Sequence, residues 1–265
     1  MLEVKDIFKT FHLDNNPEND KHALQGVSLT IEDNDFISVI GSNGSGKTTL
    51  LNSISGLFPI DSGSIILDGE EITKQKDYQR AKYVGRVFQD PMQGTIADMT
   101  LFENLSIASR RGKKQSPFKW ALASKERETF KDLLRPLGLG LEERLDAPIG
   151  TFSGGQRQAV TLLMASMSHP KILLLDEHTA ALDPKTAKTI MELTDKIVKE
   201  THTPTLMITH NMKDAIKYGN RLIMMDEGKI IFDCRGEEKK KLTIADLVKL
   251  FSSISDVPDS VALSN

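Results

Sequence analysis

The chain has 265 residues, with 34 Lys plus Arg against 37 Asp plus Glu, a net charge of −3 and 39% hydrophobic residues. This composition excludes a collagen-like repeat, a disordered tail and a coiled-coil rod, and the balanced charge argues against a protein that coats nucleic acid. The longest stretches free of Asp, Glu, Lys and Arg, 48–60 and 158–170, are shorter than the ~18 apolar residues of a membrane-spanning helix. The start, MLEVKDIFKT, has no basic stretch followed by an apolar core, so no signal peptide is expected. Cys234 is the only cysteine, which leaves no intrachain disulfide and no Cys-based metal framework and fits a reducing, cytoplasmic setting. Cys234 itself is expected to be a small core or surface residue.

In chain order, Leu2–Phe11 and Gly26–Ile31 read as strands around a polar loop, Asp14–Asp20. Phe36–Ile40 is short, apolar and β-branched, the pattern of a strand buried on both faces. A loop with Gly41, Gly44 and Gly46 follows it and leads into a helix, Lys47–Ser55. Ser64–Leu67 and Glu70–Thr73 flank Asp68-Gly69, a hairpin signal. From about 91 to 169 the chain is Lys-, Arg- and Glu-rich, carries the only Trp, Trp120, and reads as helices. Ser153 and Gln156, three apart, form a capping-box pattern ahead of Val160, Leu163, Met164 and Met167 at helical spacing. Lys171–Leu175, Thr205–Ile208 and Arg221–Met225 read as further strands, the last turning at 226–229 into Ile230–Asp233. Strands alternating with helices predict a mostly parallel α/β sheet. The run Glu237–Lys241 reads as a solvated linker, Thr243–Ile254 as an amphipathic helix packed back on the domain, and 255–265 as a frayed tail.

Three places carry chemistry. Gly41-Ser42-Asn43-Gly44-Ser45-Gly46-Lys47-Thr48 fits G-x-x-x-x-G-K-[ST] between a strand and a helix. There, backbone N–H groups and the helix N-terminus cradle phosphate, Lys47 reaches the β- and γ-phosphates, and Thr48 offers a hydroxyl to Mg²⁺. Ile172-Leu173-Leu174-Leu175 delivers Asp176, expected to hold Mg²⁺ through water, and Glu177, expected to polarise an attacking water. His210 follows a strand expected to neighbour the cradle strand, where it can meet the γ-phosphate and the water.

With these residues together, residues 2–235 resemble the ATP-binding subunits of ABC transporters. The resemblance makes 41–48 Walker A, with Thr49 also at the nucleotide, and Gln89 the Q-loop glutamine and a metal contact. It makes Phe152-Ser153-Gly154-Gly155-Gln156 the signature, with Ser153, Gly155 and Gln156 facing the nucleotide of a second subunit. It makes 172–177 Walker B, 180–183 the D-loop, His210 the switch histidine, and Phe11 the aromatic that stacks on adenine or, equally, a strand-end core residue. Phe152 replaces the usual Leu and His178 the usual Pro. The run 176–184 looks like that of bacterial importer ATPases grouped with tryptophan/tyrosine uptake.

The implied fold is a P-loop NTPase (RecA-like), a mostly parallel sheet with an antiparallel β subdomain and an inserted α-helical subdomain. The expected division is a nucleotide-binding core of 1–90 plus 170–235, a helical subdomain of 91–169, and a C-terminal helix and tail of 236–265. The implied activity is ATP hydrolysis, with ATP and Mg²⁺ bound in a dimer, on the cytoplasmic side of the membrane. The implied partners are a membrane permease, docked around Asp90–Leu105, and an extracellular substrate-binding protein; no nucleic acid is expected. The alternative is a soluble ABC ATPase acting on DNA or ribosomes, which a single Walker A and the lack of sustained heptads disfavour.

Overall fold

The computed structural model describes residues 1–12, 14, 16–112 and 123–254. Trp120, Asn15, the 113–122 part of the expected helical region and the 255–265 tail lie outside the described residues. The chain forms two compact units, 1–75 with 206–265, and 76–205. These units differ from the expected subdomains because the strands ending near 87 and starting at 172 group with the helices around them.

The first part of unit 1 carries β1 (Leu2–Phe11), β2 (Lys21–Ile31), β3 (Phe36–Gly41), α1 (Lys47–Ser55), β4 (Ser62–Leu67) and β5 (Glu70–Glu71). Unit 2 carries α2 (Asp77–Arg80), β6 (Val84–Val87), α3 (Leu101–Ser109), α4 (Ala123–Leu134), α5 (Gly154–Ser166), β7 (Ile172–Asp176) and α6 (Pro184–Thr201). The chain then returns to unit 1 through β8 (Thr205–Ile208), α7 (Met212–Lys217), β9 (Arg221–Asp226), β10 (Lys229–Arg235), α8 (Glu237–Lys241) and α9 (Ile244–Ile254).

In unit 1, β2-β1-β4-β5 form an antiparallel sheet. A second set runs β10-β9-β3-β8, with β9 parallel to β3 and antiparallel to β10. Every residue of β3 is buried, as a strand paired on both sides requires, and its one hydroxyl, Ser38 Oγ, donates to the Tyr218 carbonyl at 3.1 Å. β2 starts five residues earlier than the sequence predicts, because β1 pairs with it as far as Phe11↔Lys21 across several register shifts. α9 packs back as expected: Leu247 is fully buried with Ile40, Leu222, Met224 and Cys234, and Leu250 and Phe251 flank them.

The run Glu237–Lys241 corrects one expectation. It is helical, and Lys239 is buried, its Nζ donating to the carbonyls of Tyr218 and, at 3.1 Å, Gly219. Those carbonyls lie just past the end of α7, and the Tyr218 carbonyl also accepts from Ser38 Oγ at 3.1 Å. Burial pushes the Lys239 pKa down to about 8. Lys239→Met is expected to cost about 1–3 kcal/mol by stranding the Gly219 acceptor, the Tyr218 carbonyl keeping its bond from Ser38 Oγ at 3.1 Å, whereas Lys240→Met, at an exposed position, stays within about 0.5 kcal/mol. Urea unfolding at neutral pH measures both.

In unit 2, β6 and β7 pair in parallel, Val87 opposite Leu175. The helices enclose a separate core of Leu101, Leu105, Phe130, Leu134, Leu145, Ile149, Phe152, Val160, Leu163 and Met164, with Met167 packed at its margin. Phe152 is thus an apolar anchor, capped by the Arg144 guanidinium 4.2 Å from its ring.

Candidate active site

The phosphate loop lies within unit 1, between β3 and α1. Gly41 takes φ +154, and a Cβ there would run into the Met225 carbonyl and the Ser45 hydroxyl. Gly46, the residue before α1, takes φ +99, and its Cβ would meet the Ala23 carbonyl. Both positions therefore exclude a side chain by space as well as by backbone angle. Ser42, Asn43, Gly44 and Thr48 are exposed, Thr49 is half-buried, and Ser45 and Gly46 are buried. Lys47 is 6% exposed, with Nζ donating to the carbonyls of Gly41 at 2.9 Å and Ser42 at 2.8 Å. The ammonium is thereby held over the loop it serves.

The turn between β9 and β10 braces this loop. Ser42 Oγ donates to Asp226 at 3.0 Å, and the Gly228 N–H donates to the Ser45 carbonyl at 3.1 Å. The Gly228 carbonyl in turn accepts from Gln25 N–H at 2.9 Å. The sequence identifies 226–229 as a turn but contains no signal for a bond between residues 184 apart. Thr209 N–H donates to the Val39 carbonyl at 3.1 Å, so His210 emerges beyond β8 beside the strand that feeds the loop, and it is exposed. Phe11, the last residue of β1, is half-buried and meets Phe58 edge-on, ring centroids 5.3 Å apart at 78°.

Unit 2 holds the carboxylates and the second helix N-terminus. β6 and β7 run in parallel, so Gln89 and the pair Asp176, Glu177 leave the same end of the two strands. Gln89 is exposed, Asp176 is 8% exposed and Glu177 is half-buried. The Arg86 guanidinium stacks over Phe88 at 4.4 Å and lies 3.8 Å from Asp176. Burial lowers the Arg86 pKa and the Asp176 charge opposes that shift.

The capping box at α5 is present: Ser153 Oγ accepts from Gln156 N–H at 3.3 Å, and Gln156 Oε1 accepts from Ser153 N–H at 3.2 Å. Ser153 is exposed and Gly155 buried; a Cβ on Gly155 would collide with Thr186 at the start of α6. Gly155 thus lets the two helices approach and adds no side chain of its own to the α5 N-terminus, an end whose dipole favours an anion. Gln158, fully buried on α5, donates to the Phe88 carbonyl at 3.3 Å and so steadies the backbone next to Gln89. His178 is buried, with Nε2 3.0 Å from Thr194 Oγ1, and desolvation pushes its pKa down to about 4.

Thr48 in unit 1, and Gln89 and Asp176 in unit 2, each carry the hard oxygen that Mg²⁺ takes as a ligand. Among the described residues no group of three or more His, Cys, Asp or Glu is gathered.

A family model described as "ABC transporter" matches residues 24–180. The chain is 47% identical to a tyrosine transport ATP-binding protein of Clostridioides difficile, covering 95% of this chain and 98% of that one. It is 35% identical to an energy-coupling factor transporter ATP-binding protein of Acetivibrio thermocellus, covering 80% and 72%. Its fold matches a solved dimeric ATP-binding cassette in a post-hydrolysis state bound to ADP and Pi, with a TM-score of 0.75, 28% identity, and 89% and 98% of the two chains covered.

Proposed function

Because the chain belongs to the ABC transporter family of ATPases, we propose that it is the ATP-hydrolysing subunit of an amino-acid importer. It works as a dimer on the cytoplasmic face of a membrane permease fed by an extracellular substrate-binding protein. Among the described residues no helix is long and apolar enough to cross a membrane, so such a subunit must act through a partner that does.

In this reading, Gly41–Thr49 hold the phosphates of ATP, Phe11 stacks on the adenine, and Ser153, Gly155 and Gln156 close over the γ-phosphate of the other subunit's nucleotide. Thr48, Gln89 and Asp176 would hold Mg²⁺, which would supply neutralising charge to the phosphates. Glu177 accepts a proton from the attacking water, and His210 donates to the γ-phosphate and fixes that water's position. The permease docks beside Gln89, where Met92 is 40% and Ile96 47% exposed, apolar surface suited to a coupling helix.

The observation that carries the cargo class is the 47% identity to a tyrosine transport ATP-binding protein across nearly the whole chain. The test is to capture the membrane complex through a tag on this chain and titrate its substrate-binding protein with tyrosine, tryptophan, a sugar and a divalent metal. Binding of tyrosine or tryptophan supports the reading; a sugar or metal ligand overturns it. No observation favours a soluble ATPase acting on DNA or ribosomes.

A further inference from the structure

We propose that His178 is a positioning residue, holding Glu177 and the 180–183 turn in place by donating its Nε2–H to Thr194 on α6. This rests on the reading of Glu177 as the group that acts on the attacking water.

Glu177 sits at the end of β7 with φ +46, in the left-handed region. A non-glycine residue persists there only when its surroundings over-determine it. Backbone bonds hold the turn that follows. Ala180 N–H donates to the Glu177 carbonyl at 2.9 Å, and Leu182 N–H to the Thr179 carbonyl at 3.2 Å. The next anchor is Asp183, whose side chain accepts from Thr186 N–H at 3.1 Å.

His178 adds a side-chain tie to α6. Its side chain is 2% exposed, with Nε2 3.0 Å from Thr194 Oγ1. Thr194 is fully buried, and its hydroxyl donates to the Ile190 carbonyl at 2.8 Å. A hydroxyl has one proton. With that proton on Ile190, Thr194 accepts from the imidazole, which fixes the Nε2–H tautomer. The chain from His178 through Thr194 to Ile190 therefore bolts the turn to an 18-residue helix seated by Ile190, Met191 and Val198.

The consequence is leverage. His178 is buried, so it acts through its neighbour and not on water. Rotation of the 177–178 peptide would swing the Glu177 carboxylate away from its working position, and a ~1 Å misplacement of a reacting group costs on the order of 10²-fold in rate.

The test uses the full chain, comparing wild type with His178→Leu, His178→Gln, Thr194→Val, Thr194→Ser and the Leu/Val double variant. His178→Leu and Thr194→Val are expected to lower kcat for ATP about 10-fold with KM within twofold. His178→Gln and Thr194→Ser, which keep a donor and an acceptor, retain kcat within about threefold. The double variant is no slower than His178→Leu, since both break one bond. Amide hydrogen exchange should quicken in peptides over 177–183 in the Leu and Val variants, and stay unchanged over 41–48. Wild-type kcat in His178→Leu, failure of His178→Gln to retain kcat, or additive losses would each overturn the proposal. Glu177→Gln separates the two levels. If that variant keeps full turnover, the reading of Glu177 falls and this proposal with it. If it is inactive while His178→Leu is normal, only this proposal falls.

Discussion

Lys47→Ala is expected to abolish ATP turnover and weaken nucleotide binding at least ~100-fold while leaving a folded chain. The ammonium is held by two backbone carbonyls of the loop, Gly41 at 2.9 Å and Ser42 at 2.8 Å, so its position is set before any phosphate arrives. Hydrogen bonds to a charged group are worth about 1.5–3 kcal/mol each, and a triphosphate offers it oxygens on two phosphorus atoms. Two such bonds lost come to about 3–6 kcal/mol, which is more than a hundredfold in affinity. Stability depends less on this residue. The loop keeps its glycine geometry and its brace, Ser42 to Asp226 and Gly228 to Ser45, so the unliganded melting temperature is expected to fall by only a few degrees. Titration with a fluorescent ATP analogue and a phosphate-release assay check the two halves. Unchanged turnover would refute the assignment of 41–48 as the phosphate loop.

What the sequence makes legible is what local chemistry determines. The spans of α1 and β8 agree with their structural limits, Lys47–Ser55 and Thr205–Ile208, because each has its signal inside or directly beside it: a glycine before the helix, an unbroken apolar run in the strand. The capping box at Ser153 is likewise a three-residue pattern and is present as read. The misses are all non-local. Lys239 lies in a run of charges that reads as solvated, yet the carbonyls that draw it inside belong to residues 20 and 21 positions earlier. The brace between Ser42 and Asp226 spans 184 residues. His178 stands out in the sequence as a departure, but its partner Thr194 is 16 residues on and reads as an ordinary helical threonine. In each case a buried polar group found its partner through the fold, and hydrophobic periodicity carries no information about such pairs.

Glu177→Gln should separate binding from chemistry. The amide keeps the shape and most of the hydrogen-bonding reach of the carboxylate but cannot take a proton from water. A positioned base contributes about 10²–10⁴-fold, so kcat is expected to fall by at least ~100-fold with ATP affinity retained or raised. The rise has an electrostatic cause. Asp176 and Glu177 are adjacent carboxylates; in the proposed site a triphosphate lies near them, and removing one negative charge eases that approach. In the proposed cycle two ATP molecules hold two subunits together, and hydrolysis releases them. A variant that binds and does not hydrolyse therefore accumulates as the nucleotide-bound dimer. Light scattering after size exclusion in ATP and Mg²⁺ should give the mass of two chains for Glu177→Gln, and of one chain after chelation of the metal. For wild type the dimer should be transient under the same conditions, since each turnover dismantles it. Ser153→Arg in the Glu177→Gln background places a bulky side chain at the exposed N-terminus of α5 and should return the protein to monomer without changing the phosphate loop. If Glu177→Gln stays monomeric with ATP and Mg²⁺, also in the presence of its permease, the nucleotide does not join the subunits and the proposed cycle fails at its first step.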